Sequence, residues 1–528
     1  MANASMGGAG GLEVELKFEM TAAQVRKLCR SAALKALQSA PARTKTLRAT
    51  YFDTPDFQLA AREVSLRVRK ESRKYVQCFK AKAVDQNASG FARHEWEWAV
   101  PGPDLDMSLL RADADIKALL KGVNFASLAP IFTSEMKRQS HELRTPGGAE
   151  ISCDIDQGRV YAAQSDDVVE TSVHELELEL KSGATGELLR AANLITDTVP
   201  ARLSSRTKAH RGHILARGNG HEWVKANHPP LAKGATAEEV LRSSVMEGLQ
   251  HLIANEDCVL HRCHIEGVHQ MRVATRRMRS VITTFKKLLP KGSYEELSQA
   301  LKDAGSALGP ARDWDVFLDE VLSGVEQGFD DEPALKFMRE RAQLRQEQAY
   351  QAAQEMIHSP AYAKMLTDSL FWVANSVWRE QHVSETSAKL LAPATDIAKE
   401  ILAKRHARLL KAGKGLKHLT IEQRHQLRIA IKKARYAAAF FAELYPPKTT
   451  KAYLKGLKSL QEALGHLNDL ATAERLMTDL ETDVKGKDAH TIHKAAGLVE
   501  GWYMHADSLR ENDLLKGWNA FRHAKTFW

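Results

Sequence analysis

The segment Leu12-Glu13-Val14-Glu15-Leu16-Lys17-Phe18-Glu19 has a charged residue at every odd position and an apolar residue at every even position. Successive side chains of a β-strand point to opposite faces, so the pattern predicts a strand with Glu13, Glu15 and Lys17 in one row. One such row is typical of any solvated strand face. A row of charges indicates a binding site only if other segments repeat it.

Four later segments do repeat the alternation, and the sign of their charge differs. The charged positions are Arg67 and Arg69; Arg93, Glu95 and Glu97; Asp154 and Asp156; and Glu175, Glu177, Glu179 and Lys181. Carboxylates bind hard cations, whereas Arg and Lys bind phosphate oxygens. We therefore expect an antiparallel barrel with flanking helices, in which these rows face inward and bind a metal-bound polyanion. Thr21 is the predicted N-cap of a helix after the first strand, and a helical stretch at about Gly186–Leu215 closes this half.

The order of motifs over Leu12–Arg217 resembles the CYTH family, also called triphosphate tunnel metalloenzymes. Its E-x-E-x-K signature corresponds to Glu13–Lys17. The later motifs are Tyr51-Phe52-Asp53-Thr54-Pro55, Ser65-Leu66-Arg67-Val68-Arg69, Lys80, Arg93-x-Glu95-x-Glu97, Arg138, Asp156-Gln157-Gly158, Glu177-Leu178-Glu179 and Lys208-x-x-Arg211.

The resemblance implies a tunnel that binds a triphosphate end-on with one or two divalent metals, Mg²⁺ or Mn²⁺. The implied phosphate-binding residues are Arg67, Arg69, Lys80, Arg93, Arg138 and Lys208. The implied metal ligands are Glu13, Glu15, Asp156, Glu177 and Glu179, with Asp154 on the same face as Asp156. Lys17 and Glu97 are the catalytic candidates. The general base stays open, because Lys17 either positions water or neutralises phosphate, and Glu97 and Glu175 either act as bases or support the ligands.

The sequence after a Gly- and Pro-containing stretch at 218–236 has long helical periods and contains a repeat. A shift of 156 residues aligns Ile265–Pro290 with Ile421–Pro446, and ten of 26 positions are identical. Each copy carries basic residues at helical steps of three, four and three, on one face of a helix. These are His269, Arg272, Arg276 and Arg279 in the first copy, and His425, Arg428, Lys432 and Arg435 in the second.

Like charges four residues apart on a helix cost roughly 0.2–0.5 kcal/mol per pair, which a bound anion relieves. A solvated basic face, or histidines within the core, would also produce the pattern. The region from about Ala237 to Trp528 resembles the CHAD family, an all-α duplicated helical bundle. The resemblance implies that the eight residues bind inorganic polyphosphate. The aromatic residues of this half lie mainly in mixed apolar contexts typical of a core, such as Phe371-Trp372 and Phe440-Phe441. A basic groove without aromatic stacking platforms suits polyphosphate better than single-stranded nucleic acid, so no specific nucleic-acid binding is expected.

Composition limits the class of protein and the partners that the chain can have. The chain has 528 residues and a net charge of +9, which favours polyanionic partners. It has no apolar run near the ~20 residues of a transmembrane helix, and its five scattered cysteines argue against a disulfide framework. We expect a multidomain α+β cytoplasmic protein, associated with polyphosphate granules, without membrane contact. The expected segments are a flexible 1–11, a tunnel domain 12–217, a linker 218–236 and a helical domain 237–528; the oligomeric state is unknown.

The first functional hypothesis is therefore a metal-dependent hydrolase that converts inorganic triphosphate to pyrophosphate and phosphate. The second is another CYTH chemistry: a class IV adenylyl cyclase, or a thiamine or nucleoside triphosphatase. The third is a non-catalytic polyphosphate-binding protein. No Gly-x-x-x-x-Gly-Lys-Ser/Thr loop is present, which excludes a P-loop NTPase.

Overall fold

The computed structural model describes residues 11–82, 92–164, 167–218, 220–227, 231–329, 331–379, 384–482 and 484–528. Apart from Gly11, the segment expected to be flexible lies outside the described residues. The chain forms two compact units. The first runs to Glu222 and also includes His358–Asn375, and the second comprises Trp223–Ile357 and Ser376–Trp528. The expected architecture, an antiparallel barrel with helices followed by an all-helical region, is confirmed.

The first unit is built on a closed antiparallel barrel. Its strands are β1 Gly11–Glu19, β2 Arg43–Asp53, β3 Val64–Glu71, β4 Lys74–Lys82, β5 Ala92–Val100, β6 Ala129–Arg144, β7 Glu150–Gln164, β8 Asp167–Ser182 and β9 Arg202–Ser204. They follow the order β5-β4-β3-β2-β6-β7-β8-β1-β9. Strand β1 pairs with β8 through one part of its length and with β5 through another. This second pairing closes eight of the described strands into a barrel, and β9 adds to β1.

The register brings the charged rows together. Lys17 lies opposite Glu177 across β1 and β8, Arg138 lies opposite Asp156, and Asp156 lies opposite Glu175. The alternate, apolar side chains of β3–β5 point the other way and pack under short helices in a core that includes Leu66, Phe79, Trp96, Leu110 and Ile116. Full burial of one such side chain contributes roughly 1.5–3 kcal/mol, which fixes which strand face is outward.

The helices of the first unit are α1 Ala22–Arg30, α2 Ala32–Leu37, α3 Met107–Ala112, α4 Ala114–Leu119, α5 Thr185–Thr198, α6 Lys208–Arg217 and α13 Pro360–Ala374. Thr21 caps α1 as expected, since its side chain accepts a hydrogen bond from Gln24 N. The predicted helical stretch 186–215 is interrupted by β9. Helix α6 packs on β6 and β7, and a Cβ at Gly212 would overlap the Phe132 ring, so only glycine allows this approach.

Helix α13 differs from the sequence expectation. It comes from the region assigned to the helical domain, yet it packs against α5 and β9 of the first unit. Its buried side chains include Leu366, Leu370 and Trp372. Helical periodicity shows that a helix has an apolar face, but it does not show which core that face joins. For this reason the sequence pattern could not separate α13 from its neighbours.

The second unit is all-helical and repeats one arrangement. The first copy contains α7 Ala237–Leu260, α8 Glu266–Phe285, α9 Glu295–Ala307, α10 Gly309–Val316, α11 Ser323–Glu326 and α12 Pro333–Ile357. After the short α14 Glu385–Ala388, the second copy contains α15 Ala394–Ala412, α16 Ile421–Phe440, α17 Pro447–Ala463, α18 Gly465–Thr482 and α19 Lys487–Arg522. The 156-residue shift relates α7 to α15, α8 to α16, α9 to α17, α10 to α18 and α12 to α19.

Part of the expected linker is docked onto the second unit. Val224 N donates a hydrogen bond to Asn255 Oδ1 at 2.9 Å, and Asn255 Nδ2 donates to Val224 O at 3.0 Å. Asn255 is fully buried on α7. These reciprocal bonds satisfy a buried amide and hold the backbone of Val224 against α7. None of the described helices has the length and apolarity needed to cross a membrane.

Candidate active site

Three carboxylates in the barrel form a compact group, called here the acidic triad: Asp156, Glu175 and Glu177. One oxygen from each lies within 4.8 Å of the other two. Asp156 and Glu175 are 0% and 1% exposed. The ammonium of Lys208, on α6, lies among them, with Nζ 2.7 Å from Asp156 Oδ2, 3.0 Å from Glu177 Oε1 and in contact with Glu175. Burial of so much negative charge requires cations nearby, and the chain supplies them.

Arg138 binds the triad from β6. Its Nε and Nη2 donate to the two oxygens of Asp156 at 2.8 and 2.6 Å, a bidentate geometry. Nη2 also donates to Glu177 at 2.6 Å, and Nη1 donates to Asp154 at 2.5 Å. Although burial alone would raise it, the pKa of Asp156 is lowered by Lys208 and Arg138. Asp156 is therefore a carboxylate at neutral pH.

Lys17 joins the first strand to the triad. Its Nζ donates to Glu177 Oε1 at 2.5 Å and to Glu15 Oε2 at 2.9 Å. Burial lowers the pKa of Lys17, but Glu15 and Glu177 outweigh it and raise that pKa above the ordinary value. Burial raises the pKa of Glu177, but Lys17, Lys208 and Arg138 hold it well below the usual range. Lys17 is therefore protonated at neutral pH.

A second charged group, called here the β4 group, is centred on Lys80. Its Nζ lies 2.6 Å from Glu13 Oε2 and 3.1 Å from Glu95 Oε2. Burial raises the pKa of Glu13 to about 7, although Lys80 opposes this. The pKa of Glu95 falls to about 2, because Lys80 and Arg67 outweigh its burial. The Arg67 guanidinium also donates to the Tyr51 hydroxyl at 3.2 Å.

Several predicted site residues lie apart from the triad. Glu97 is 42% exposed at its side chain, and Arg69 donates to it at 3.2 Å. Glu179 pairs with Lys181 at 2.5 Å. Arg93 lies opposite Glu13 in the pairing of β1 with β5. The structure therefore joins Glu15, Lys17, Arg138, Asp156, Glu177 and Lys208 in one network, and places Glu13, Arg67 and Lys80 around the β4 group.

The sequence pattern predicted a lesser role for Glu175 and did not single out Glu19 or Arg202. Glu175 was expected to act only as a base or a support, yet it is a full member of the triad. Glu19 extends the charged row of β1 and contacts both Arg202 and Arg211. The alternation of β1 already contained the signal for Glu19. Arg202 had no signal, because its strand is only three residues long.

The acidic triad fits a divalent cation. Three carboxylates and no softer ligand suit a hard, oxygen-seeking ion such as Mg²⁺ or Mn²⁺. A second possible group, Cys78 with Glu95 and Glu97, fits less well. Burial raises the pKa of the Cys78 thiol to about 12, and Sγ donates to Glu95 at 3.0 Å. At neutral pH Cys78 is thus a protonated hydrogen-bond donor, whereas a metal ligand is a thiolate.

The second unit carries the other predicted site, called here the basic face. His269, Arg272, Arg276 and Arg279 on α8 are half-buried, as are Arg428, Lys432 and Arg435 on α16, whereas His425 is exposed. Arg276 Nε donates to Tyr436 of α16 at 2.6 Å, which makes the two basic helices neighbours. Burial lowers the pKa of His269 to about 4, helped by Arg312.

The basic face also includes residues that the helical pattern did not indicate. Asp313 of α10 lies 3.8 Å from Arg272 and 3.0 Å from Arg475 of α18. Burial raises the pKa of Asp313, against the effect of both arginines. These residues come from helices other than α8 and α16, so spacing within a single helix could not reveal them.

Two family models match successive parts of the chain, and helix α13 lies within the second match although it packs with the first unit. A CYTH domain model matches residues 11–213, and a CHAD domain model matches residues 243–478. An uncharacterised protein of Mycobacterium tuberculosis is 26% identical over 464 residues, covering 81% of this chain and 82% of that protein. An inorganic triphosphatase of Haemophilus influenzae is 27% identical over 172 residues, which is 31% of this chain and 45% of that enzyme.

Among solved structures, the CHAD domain from the plant Ricinus communis is 28% identical, with a TM-score of 0.50. The match covers 58% of this chain and 99% of that one. Each family model thus matches its own part of the chain. Residues 11–213 form a CYTH domain, and residues 243–478 that follow form a CHAD domain.

Proposed function

We propose that the CYTH domain hydrolyses inorganic triphosphate to pyrophosphate and phosphate with Mg²⁺ or Mn²⁺, and that the CHAD domain binds inorganic polyphosphate. The CYTH match and the similarity to an inorganic triphosphatase support triphosphatase-type activity. The acidic triad within a cluster of cations is the observation that favours hydrolysis over binding of a polyanion without turnover. Binding an anion alone requires no carboxylates, whereas metal-assisted phosphoryl transfer requires both charges.

The acidic triad would hold the divalent cation, with Glu15 as a further candidate ligand because Lys17 links it to Glu177. Glu13 and Glu179, which lie apart from the triad, complete the proposed set of metal ligands. These carboxylates would hold a divalent cation, whose chemistry there would be charge neutralisation and activation of a water nucleophile.

The cations of the barrel would position the triphosphate. Arg138 would contact a phosphate oxygen while its guanidinium keeps its bonds to Asp154, Asp156 and Glu177. Lys17 would neutralise a phosphate oxygen, because its pKa is raised and it stays protonated. Arg67 and Lys80 would bind from the β4 group, and Arg69, Arg93 and Lys208 complete the proposed phosphate contacts.

A substrate panel tests the catalytic proposal. The purified full chain is given inorganic triphosphate, ATP, thiamine triphosphate or long-chain polyphosphate with Mg²⁺ or Mn²⁺. Equal amounts of pyrophosphate and phosphate from triphosphate support the proposal. Cyclic AMP from ATP would indicate a cyclase. Faster turnover of ATP or thiamine triphosphate would indicate a different triphosphatase, and binding without turnover a non-catalytic protein.

A matched pair of variants ties the activity to the triad. Asp156→Asn keeps the shape of a triad member but removes its charge, and kcat should fall at least a hundredfold, in the range of about 3–4 kcal/mol seen for single transition-state stabilisers. Asp167→Asn changes an exposed aspartate at the start of β8 and should leave kcat within twofold. Equal turnover by wild type and Asp156→Asn would refute the assignment.

The polyphosphate proposal has its own test. Arg272→Glu with Arg428→Glu reverses one charge on each basic helix and should weaken binding of long-chain polyphosphate at least tenfold. Lys336→Glu with Lys458→Glu changes two exposed lysines on α12 and α17 by the same net charge. That control should bind nearly as well as wild type. Equal losses in both double variants would mean that only net charge attracts the polymer.

A further inference from the structure

The acidic triad contains a cation of the chain's own. Lys208 Nζ lies 2.7 Å from Asp156 Oδ2 and 3.0 Å from Glu177 Oε1, and it also contacts Glu175. The three carboxylates therefore surround the ammonium. A divalent ion bound by all three would lie in the same small space, since their oxygens are within 4.8 Å of one another. Two cations cannot share that position, because their repulsion is strong in a water-poor interior.

The backbone of Lys208 is held in place, so its side chain can move away from the triad while helix α6 stays where it is. Lys208 is the first residue of α6, which Thr207 caps by accepting a hydrogen bond from His210 N. Further along α6, Gly212 fixes the helix against Phe132. The backbone is thus held at both points, whereas the lysine side chain has a flexible four-carbon stem. Rotation of that stem is sufficient to move the ammonium away from the triad.

Arg138 cannot exchange in the same way. Its guanidinium is planar and contacts Asp154, Asp156 and Glu177 simultaneously, so its withdrawal would break all these bonds. Lys17 is held between Glu15 and Glu177 and reaches only one member of the triad. Among the described cations, Lys208 alone contacts all three members.

We propose that Lys208 is an exchangeable counter-ion of the acidic triad: it occupies the triad until a divalent cation binds there, and it then turns to a phosphate oxygen of the substrate. This inference rests on the proposed function for the metal site and deepens it. Lys208 is accordingly a positioning residue that couples metal binding to phosphate binding. It competes with the metal in the absence of substrate and adds to phosphate affinity in its presence.

The test measures Mn²⁺ binding to the full chain without substrate, by electron paramagnetic resonance of the free ion. Lys208→Met keeps the length of the side chain and removes its charge, so Mn²⁺ should bind at least tenfold more tightly than in wild type. Lys137→Met is the matched control, because Lys137 is exposed and lies on the face of β6 opposite to Arg138. Its affinity for Mn²⁺ should stay within twofold of wild type. Unchanged or weaker Mn²⁺ binding by Lys208→Met would overturn the proposal.

Lys208→Arg protects the test against misfolding of the methionine variant. It keeps a positive charge beside the three carboxylates, so Mn²⁺ should bind no more tightly than in wild type. A gain in affinity equal to that of Lys208→Met would refute competition by charge. Because the readout is metal affinity, a failure of this proposal is distinct from a failure of triphosphate turnover. If wild type shows no triphosphate turnover while the variants give the expected Mn²⁺ affinities, the proposed substrate is refuted and the role of Lys208 stands.

Discussion

Glu177 offers a quantitative test of the charge network inside the barrel. Its carboxylate lies 2.5 Å from Lys17, 2.6 Å from Arg138 and 3.0 Å from Lys208. Glu177→Gln keeps the shape of the side chain but leaves three cations with one carboxylate fewer. Breaking a buried ion pair costs about 3–5 kcal/mol. Asp156, Glu175 and Glu15 still face the same cations, so the lower end of that range, about 3 kcal/mol, is expected.

The assay is thermal unfolding of the full chain without metal, followed for the transition of the first unit. For a unit of this size 1 kcal/mol corresponds to about 2–4 °C, so Glu177→Gln should lower the transition by roughly 6–12 °C. Triphosphate should restore more of that loss than it adds to wild type, because it supplies the missing negative charge. Glu170→Gln, an exposed change on the same strand that breaks only a pair with Arg159, should shift the transition by less than about 2 °C.

The reasoning would be refuted by a Glu177→Gln transition within 2 °C of wild type, or by an equal fall in Glu170→Gln. Either result would mean that Glu177 does not hold three cations in a buried network. A fall that triphosphate fails to reduce would instead show that the uncompensated cations are not accessible to the proposed substrate.

Three further predictions concern other parts of the chain. Leu370→Ala in α13 should destabilise the first unit by about 2–5 kcal/mol and lower triphosphatase activity, because α13 packs with the barrel unit. Polyphosphate binding should stay within twofold of wild type, and equal losses of both functions would contradict this prediction. Gly212→Ala should lower kcat and the transition of the first unit, because its Cβ would overlap Phe132 and displace α6 with Lys208; an unchanged kcat and transition would show that α6 tolerates the change. Burial raises the pKa of Asp315 from 3.8 to about 6, so the folded second unit keeps a proton that the unfolded chain loses, and its stability should fall by up to about 3 kcal/mol as pH rises from 4 to 6. Asp315→Asn cannot ionise, so its melting temperature relative to wild type should rise over that interval, and a constant difference would exclude the effect.

The inward charged rows could be predicted because strand alternation is a local property. Glu13, Glu15 and Lys17 share a face in any regular strand, and the register of β1 with β8 places Lys17 opposite Glu177. Alternation identifies a face, however, and gives no position along the barrel. It therefore could not distinguish buried Glu175 from half-buried Glu179, which belong to the same row of β8.

In the helical half, the sequence pattern predicted features of single helices but not the contacts between helices. The repeat aligned α8 with α16, and their contact through Arg276 and Tyr436 agrees with a shared basic face. The contributions of Asp313 and Arg475 depend on packing between helices, which a single-helix pattern does not contain. The place of α13 depends on the same kind of packing, because an apolar helix face fits either core until the chain is folded.

The proposed chemistry depends above all on a divalent cation bound at the acidic triad beside the triphosphate. Anomalous diffraction from crystals of the full chain soaked with Mn²⁺ and a non-hydrolysable imidotriphosphate would locate that cation directly. We predict a manganese peak about 2.1 Å from oxygens of Asp156, Glu175 and Glu177, with the analogue in contact with Arg138. A fully occupied manganese site on the outer surface, with Lys208 still inside the triad and the analogue outside the barrel, would contradict the proposed function.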